Sequence, residues 1–345
     1  MPEEAVMEGL SISLWILVVL VVVALAFDFM NGFHDGANSI STIVATGVLT
    51  PKQAVMFAAF FNFAALWVFH LKVAATIGKG TVDPELVDHY VIFGALCGAL
   101  TWNIITWFYG IPSSSSHALI GGLVGAAVTK TGSLDPIVWS GFGKIVVFIV
   151  VSPFIGFMFG GLLMVLVAWI FRRHTPARVG SWFRYGQLFA SGAYSLAHGG
   201  NDAQKTIGII WLLMISAGVA TTDVETLPRW VVYACYLAIA WGTYLGGWRI
   251  VKTMGTRITK LDTVSGSCAS MGGALSLGMA TLAGIPVSTT HTIAGAIAGA
   301  GAAHNVKRVR WDISMHLAVA WVVTIPASAL LASVFWWLGT RILKP

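Results

Sequence analysis

A segment that crosses the hydrocarbon interior of a membrane must satisfy its backbone N–H and C=O groups internally, which makes a long, all-round apolar run a helix. This chain repeats such runs: residues 145–171 carry no charge, residues 313–338 carry only His316, and residues 10–29 carry only Asp28. Crossing the core takes about 20 apolar residues, and dividing the chain on that scale predicts an all-α membrane protein with about ten to twelve segments. Composition agrees, with 57% hydrophobic residues against 10% charged. The mean hydropathy is +0.82, far from that of a water-soluble domain.

The charge pattern describes orientation. The formal net charge is +6, but the basic residues sit at the ends of apolar spans and form no patch for nucleic acid. Arg172, Arg173, Arg178 and Arg184 crowd one mid-chain loop, while Glu3, Glu4 and Glu8 make the N-terminus acidic. Positively charged loops stay on the cytoplasmic side, so the mid-chain loop is expected inside and the N-terminus outside. Trp169, Trp182, Trp230, Trp248, Trp336 and Trp337 fall near span ends, where indole suits the headgroup region. The three cysteines, Cys97, Cys235 and Cys268, have neither disulfide nor metal-ligand spacing. The first span lacks a basic leading region and ends in polar residues, so it reads as a retained segment.

An internal duplication organises the rest. Gly110-Ile-Pro-Ser-Ser-Ser-Ser-His117-Ala-Leu-Ile-Gly121 returns as Gly284-Ile-Pro-Val-Ser-Thr-Thr-His291-Thr-Ile-Ala-Gly295, and Gly125 then matches Gly299. A weaker pair precedes each copy: Asn31-Gly-Phe-His-Asp35-Gly-Ala-Asn38-Ser39 and His198-Gly-Gly-Asn-Asp202-Ala-Gln-Lys205-Thr206. The order is the same in both halves, which divides the chain into a first membrane repeat at 1–178 and a second at 179–345. An odd number of crossings per half makes the repeats inverted, an arrangement common in transporters.

The hairpin motifs point to an anion. Proline followed by hydroxyl residues belongs at a helix start, buried in protein. The Gly/Ala-rich stretch that follows suits close helix packing. A helix beginning inside the membrane aims free N–H groups and the positive end of its dipole at what lies before it. Ser113, Ser114, Ser115 and Ser116, with Ser288, Thr289 and Thr290, are therefore the expected anion ligands, two helix ends facing one tetrahedral oxyanion. Lys205 is expected to touch the anion or pair with a carboxylate. The plainer reading of the hydroxyls is helix capping and packing.

The other motif pair suits a cation. Asp35 and Asn38, with Asn201 and Asp202, offer hard oxygens in glycine-broken apolar spans, where an ionisable group is a functional candidate. They are the expected cation-coupling residues, with Asp35 and Asp202 as metal ligands if the ion is Na+ and as proton carriers if it is H+. A structural ion pair with Lys205 is the plainer reading of the two aspartates. His34, His117, His198 and His291 read equally well as hydrogen-bonding residues of the loops beside them, and Asp28 reads as a structural contact in the first span.

At these residues the chain resembles the inorganic phosphate transporter (PiT) family, whose hallmark is a duplicated Gly-Asn-Asp-like signature paired with Pro-Ser-rich hairpins. The resemblance covers most of the chain and rests on four motifs in order. It implies two inverted repeats with re-entrant helical hairpins, phosphate held at the hairpin tips and a cation held by the Asp and Asn residues. It also implies secondary active transport by alternating access in the inner (plasma) membrane of a prokaryote, with no cofactor beyond Na+ or H+ and no enzymatic activity. His34 stands where many members have Asn, and Gln204-Lys205 replaces Ala37-Asn38, so the coupling ion is left open between Na+ and H+. Expected partners are inorganic phosphate, the coupling cation and lipid, and a homodimer is compatible with the sequence.

Three rival readings are a sulfate permease, an intramembrane hydrolase and a purely structural or receptor role, which uptake of labelled phosphate into liposomes separates. A sulfate permease of the same fold would present similar hydroxyls, but phosphate carries a proton and needs an acceptor, so carboxylates close to the anion favour phosphate. An intramembrane serine hydrolase would need Ser116 and His117 to meet, yet adjacent residues on a helix point apart.

Overall fold

The computed structural model describes residues 12–343, so Glu3, Glu4 and Glu8 lie outside the described residues. The described chain forms helices, with one isolated bridge between Val82 and Ile137. The first half contains α1 (Leu14–Ala45), α2 (Pro51–Ala64), α3 (Lys72–Gly80), α4 (His89–Tyr109), α5 (Ser115–Thr131) and α6 (Trp139–Ile170). The second contains α7 (Pro176–Ser216), α8 (Arg229–Leu245), α9 (Trp248–Lys252), α10 (Thr263–Leu282), α11 (Thr289–His304) and α12 (Trp311–Ile342). One series restates the other element by element, down to the caps.

Those caps come from the duplicated residues. Asp88 starts α4 by accepting from Val91 N–H at 2.9 Å, and Asp262 starts α10 by accepting from Ser265 N–H at 2.8 Å. Gly110 and Gly284 follow α4 and α10 at φ of 65° and 70°, a left-handed turn that other residues adopt at a penalty. Ser114 and Ser288 then cap α5 and α11, each accepting from the histidine N–H three residues on at 3.2 Å. A proline sits inside both α6 and α12, at Pro153 and Pro326.

The halves interlock. Gly121 and Gly125 of α5 lie against the backbone of Ile325 and Ala329 in α12, and Gly295 and Gly299 of α11 lie against that of Pro153 and Phe157 in α6. A Cβ on any of the four would overlap backbone atoms, so each hairpin seats on the last helix of the other half. Outside this core, α6 and α12 turn large apolar side chains outward, among them Val150, Phe154, Val322 and Leu330, as lipid-facing helices do. At span ends Arg172 lies over the Trp169 ring, Arg178 over Trp182 and Arg341 over Trp337.

Among the described residues, four helices are individually long and apolar enough to cross a membrane: α1, α4, α6 and α12. A fifth crossing is available if α2 with its 3₁₀ extension and α3, bent by 80°, count as one broken span. The difference from the expected ten to twelve has a physical origin. Helices α5 and α11 span 17 and 16 residues and are buried over most of their length, and α7 carries the polar signature through its buried second half while Tyr185 and Phe189 of its first half are exposed.

Candidate functional site

The two hairpin tips and the two signature segments meet at one buried locus. Asp35, Asn38, Ser113 to Ser116, Asn201, Asp202, Lys205 and Ser288 to Thr290 are all buried there. The signatures lie on uninterrupted helix, since α1 runs through Asp35 and α7 through Asp202. This corrects the expectation of glycine-broken spans with unwound carbonyls. The glycines serve close approach instead: Gly32 faces the backbone of Ile239 in α8, and Gly199 that of Asn62 in α2. Any cation held by these segments is therefore held by side-chain oxygens.

On the second-copy side Lys205 Nζ donates to Asp202 Oδ1 at 2.6 Å, to Ser116 Oγ at 2.5 Å and to the Val287 carbonyl at 2.7 Å. The ammonium thus joins α7 to both hairpins at once. Thr289 Oγ1 donates to Asp202 Oδ2 at 3.2 Å, and Tyr194 OH to the Thr289 carbonyl at 3.0 Å. Asn201 holds the loop before α11, donating to Thr281 Oγ1 at 2.9 Å and Ile285 O at 3.2 Å and accepting from Val287 N–H at 3.4 Å.

On the first-copy side Asn38 Nδ2 donates to Thr290 Oγ1 at 2.8 Å, and that hydroxyl lies 3.3 Å from Asp35 Oδ1 and 3.1 Å from the Ser113 carbonyl. With its proton on Nδ1, His34 donates to Asp35 Oδ1 at 2.7 Å and accepts from Thr106 Oγ1 at 3.1 Å, which in turn accepts from Ser113 Oγ at 3.0 Å. A line of hydroxyls and imidazole therefore runs from the α5 tip to Asp35. Ser115 Oγ is buried with no partner, and the N–H groups of the first turns of α5 and α11 lack intrahelical acceptors. Two dipole ends, hydroxyls and one ammonium converge here, a donor set suited to a tetrahedral oxyanion.

Thr106, Asn62 and Tyr194 escaped the sequence reading. Asn62 bridges the halves, with Nδ2 donating to Thr243 Oγ1 at 2.8 Å and Oδ1 3.1 Å from His198 Nδ1. Of the three, only Asn62 stands out as a signal, being an amide inside a phenylalanine-rich run. His117 and His291 lie edge to face 4.6 Å apart, with His291 stacked on Trp321 at 3.9 Å. They pack the two hairpins together behind their tips.

Short segments clamp both hairpin turns. Lys72 and Thr76 of α3 donate to the carbonyls of Leu282 and Gly284 at 3.3 and 2.7 Å. Arg249 of α9 and Thr253 just after it donate to those of Phe108 and Gly110 at 2.5 and 3.4 Å. Beside the first turn lies a cavity of about 520 Å³, lined in part by Trp102, Thr106, Pro112, Arg257 and His316.

Comparison with known proteins places the fold and the family. A solved structure titled "The sodium-dependent phosphate transporter" superposes with a TM-score of 0.86 over 95% of this chain and 100% of its own, at 24% identity, and so shares the fold. A protein of Rhizobium meliloti (strain 1021) named "Probable low-affinity inorganic phosphate transporter" is 57% identical over 92% of this chain and 95% of its own. One of the same name from Bacillus subtilis (strain 168) is 43% identical over 94% and 97%. The model of the phosphate transporter family matches residues 31–332, from the first signature to the last helix, and the chain belongs to that family.

Proposed function

We propose that this protein moves inorganic phosphate across the cytoplasmic membrane by secondary active transport, coupled to the entry of Na+ or H+. The observation that carries the reading is the meeting of two capped helix starts, at Ser114 and Ser288, on the one ammonium of Lys205. Phosphate binding exchanges internal bonds for bonds to the anion. Lys205 and Ser116 release each other, Thr289 releases Asp202 and Thr290 releases Asp35, and Ser115 supplies a hydroxyl with no partner among the described residues. The carboxylates of Asp35 and Asp202 within hydrogen-bond reach of the tip hydroxyls provide the acceptors that a protonated phosphate requires and sulfate does not.

Coupling follows from charge. Lys205 neutralises Asp202, but among the described residues Asp35 has no lysine or arginine within ion-pair distance, only the His34 ring. Adding one or two negative charges from phosphate to a low-dielectric site raises repulsion by several kcal/mol, more than helix ends worth up to about 2 kcal/mol each offset. A Na+ or proton taken by Asp35 with Asn38, or by Asp202 with Asn201, removes that repulsion, and anion and cation then raise each other's affinity by the same factor.

Alternating access is assigned to the two clamps. The repeats, 1–178 and 179–345, are read as inverted, with the basic segment from Arg172 to Arg184, which runs from the turn after α6 into the start of α7 rather than forming one loop, cytoplasmic, so that the Lys72 and Arg249 clamps guard opposite sides of the site. Releasing one hairpin turn while the other stays clamped opens the site to one side only. The cavity bordered by Arg257 and His316 is the approach on the α5 side. The test is uptake of labelled phosphate by liposomes holding only this protein. Ser115→Ala and Thr289→Ala are expected to lower uptake at least tenfold without loss of folded protein. Wild-type uptake in both variants would remove the hairpin tips as the binding site.

A further inference from the structure

Asp28 of α1 lies seven residues before Asp35 and is fully buried, yet neither carboxylate oxygen has a hydrogen-bond partner. Two more oxygens beside it share that state. Asn31 and Thr206 are the side chains that interact with the carboxylate, neither closes to hydrogen-bond distance, and Asn31 Oδ1 and Thr206 Oγ1 are buried without partners among the described residues. The titratable groups that face Asp28 are Asp202 and Lys205 on α7 and Cys235 and Tyr236 on α8. None of them neutralises it, because Lys205 Nζ is committed to Asp202, Ser116 and Val287 O.

The duplication shows that the fold does not require an acid there. In the signature register Asp28 corresponds to Ser195, whose hydroxyl donates back to the Ser191 carbonyl at 2.9 Å and needs nothing further. An uncompensated carboxylate at membrane depth is unstable, and convergent oxygens that do not bond one another are a ligand set for a hard monovalent cation. We propose that Asp28, Asn31 and Thr206 form a second cation site, for Na+ or H+, separate from the Asp35/Asn38 and Asn201/Asp202 pairs. Thr206 adjoins Lys205, which reaches the α5 tip, so the charge at Asp28 is felt where phosphate binds. The proposal rests on the coupled-transport reading above and adds one ion to it.

The test measures phosphate affinity of the full-length protein by calorimetry, across Na+ concentrations at fixed pH and across pH at fixed Na+. The slope of log Kd against log cation concentration counts the ions taken up with phosphate. Asp28→Asn is expected to lower that slope by about one on a single axis, and the axis identifies the ion as Na+ or H+. Phosphate's own ionisation is common to both proteins and cancels in the difference. The exposed Asp312→Asn serves as control. Slopes in Asp28→Asn equal to wild type on both axes overturn the site while leaving coupling intact, whereas a wild-type slope of zero on both axes defeats coupling and this site together. If Asp28→Asn does not fold, Thr206→Val removes one ligand of the site and is expected to raise the half-saturating cation concentration at least threefold; an unchanged value overturns the proposal.

Discussion

The two signature segments occupy equivalent places yet treat charge differently. Asn38 and Lys205 stand at the same register position and make the same cross-repeat contact, Asn38 to Thr290 and Lys205 to Ser116. In the second copy the contact comes with a fixed cation that neutralises Asp202 at 2.6 Å. In the first it comes with an amide, and Asp35 rests on His34 and the Thr290 hydroxyl. A symmetric frame thus holds one carboxylate neutralised by the protein and one left for a mobile ion. In the coupled transport proposed above, this asymmetry, not the fold, would tie the two fluxes together.

Removing the fixed cation is expected to have the largest effect. Lys205→Met leaves Asp202 buried and unpaired, which costs about 3–5 kcal/mol, and phosphate uptake into liposomes should fall at least a hundredfold. A second change, Asp202→Asn, should recover part of it, and equal loss in single and double variants would show that the lysine acts on phosphate alone. Giving the first copy its own cation comes next. Asn38→Lys should lower the dependence of phosphate affinity on cation concentration by about one ion, read by calorimetry, while an unchanged wild-type dependence would refute the asymmetry.

Losses at the equivalent hydroxyls should be smaller and alike. Hydrogen bonds involving charged groups contribute about 1.5–3 kcal/mol, so Ser116→Ala and Thr290→Val should each weaken phosphate binding roughly tenfold or somewhat more. A change confined to one of them would mean that phosphate sits against a single hairpin. The frame itself gives the smallest effect on affinity. Gly125→Ala and Gly299→Ala each place a methyl against backbone, and overpacking of about 1–3 kcal/mol should lower the thermal midpoint of both variants similarly.

The duplicated caps explain why much of this was legible in the sequence. Pro112 and Pro286, the hydroxyl runs and the aspartates mark positions that hydrocarbon would reject, and the structure brings them together. The helix count was less legible, because hydropathy cannot tell a lipid-facing span from one wrapped in protein, and α5 and α11 are buried over most of their length. The glycines misled for a related reason: Gly32 and Gly199 answer to the backbones of Ile239 and Asn62, neighbours far away in sequence. Thr106 and Tyr194 carry no local signal at all, since their importance lies in which hydroxyl or carbonyl packs beside them.

The central claim is that phosphate moves only together with a cation. Liposomes containing this protein alone, loaded with equal labelled phosphate inside and out, can be given a Na+ gradient or a pH gradient separately. Accumulation of phosphate above its starting concentration under at least one gradient, abolished in Asp35→Asn, is the expected result. Phosphate that equilibrates at the same rate under either gradient or none, and never accumulates, would contradict coupling and leave a passive anion pathway.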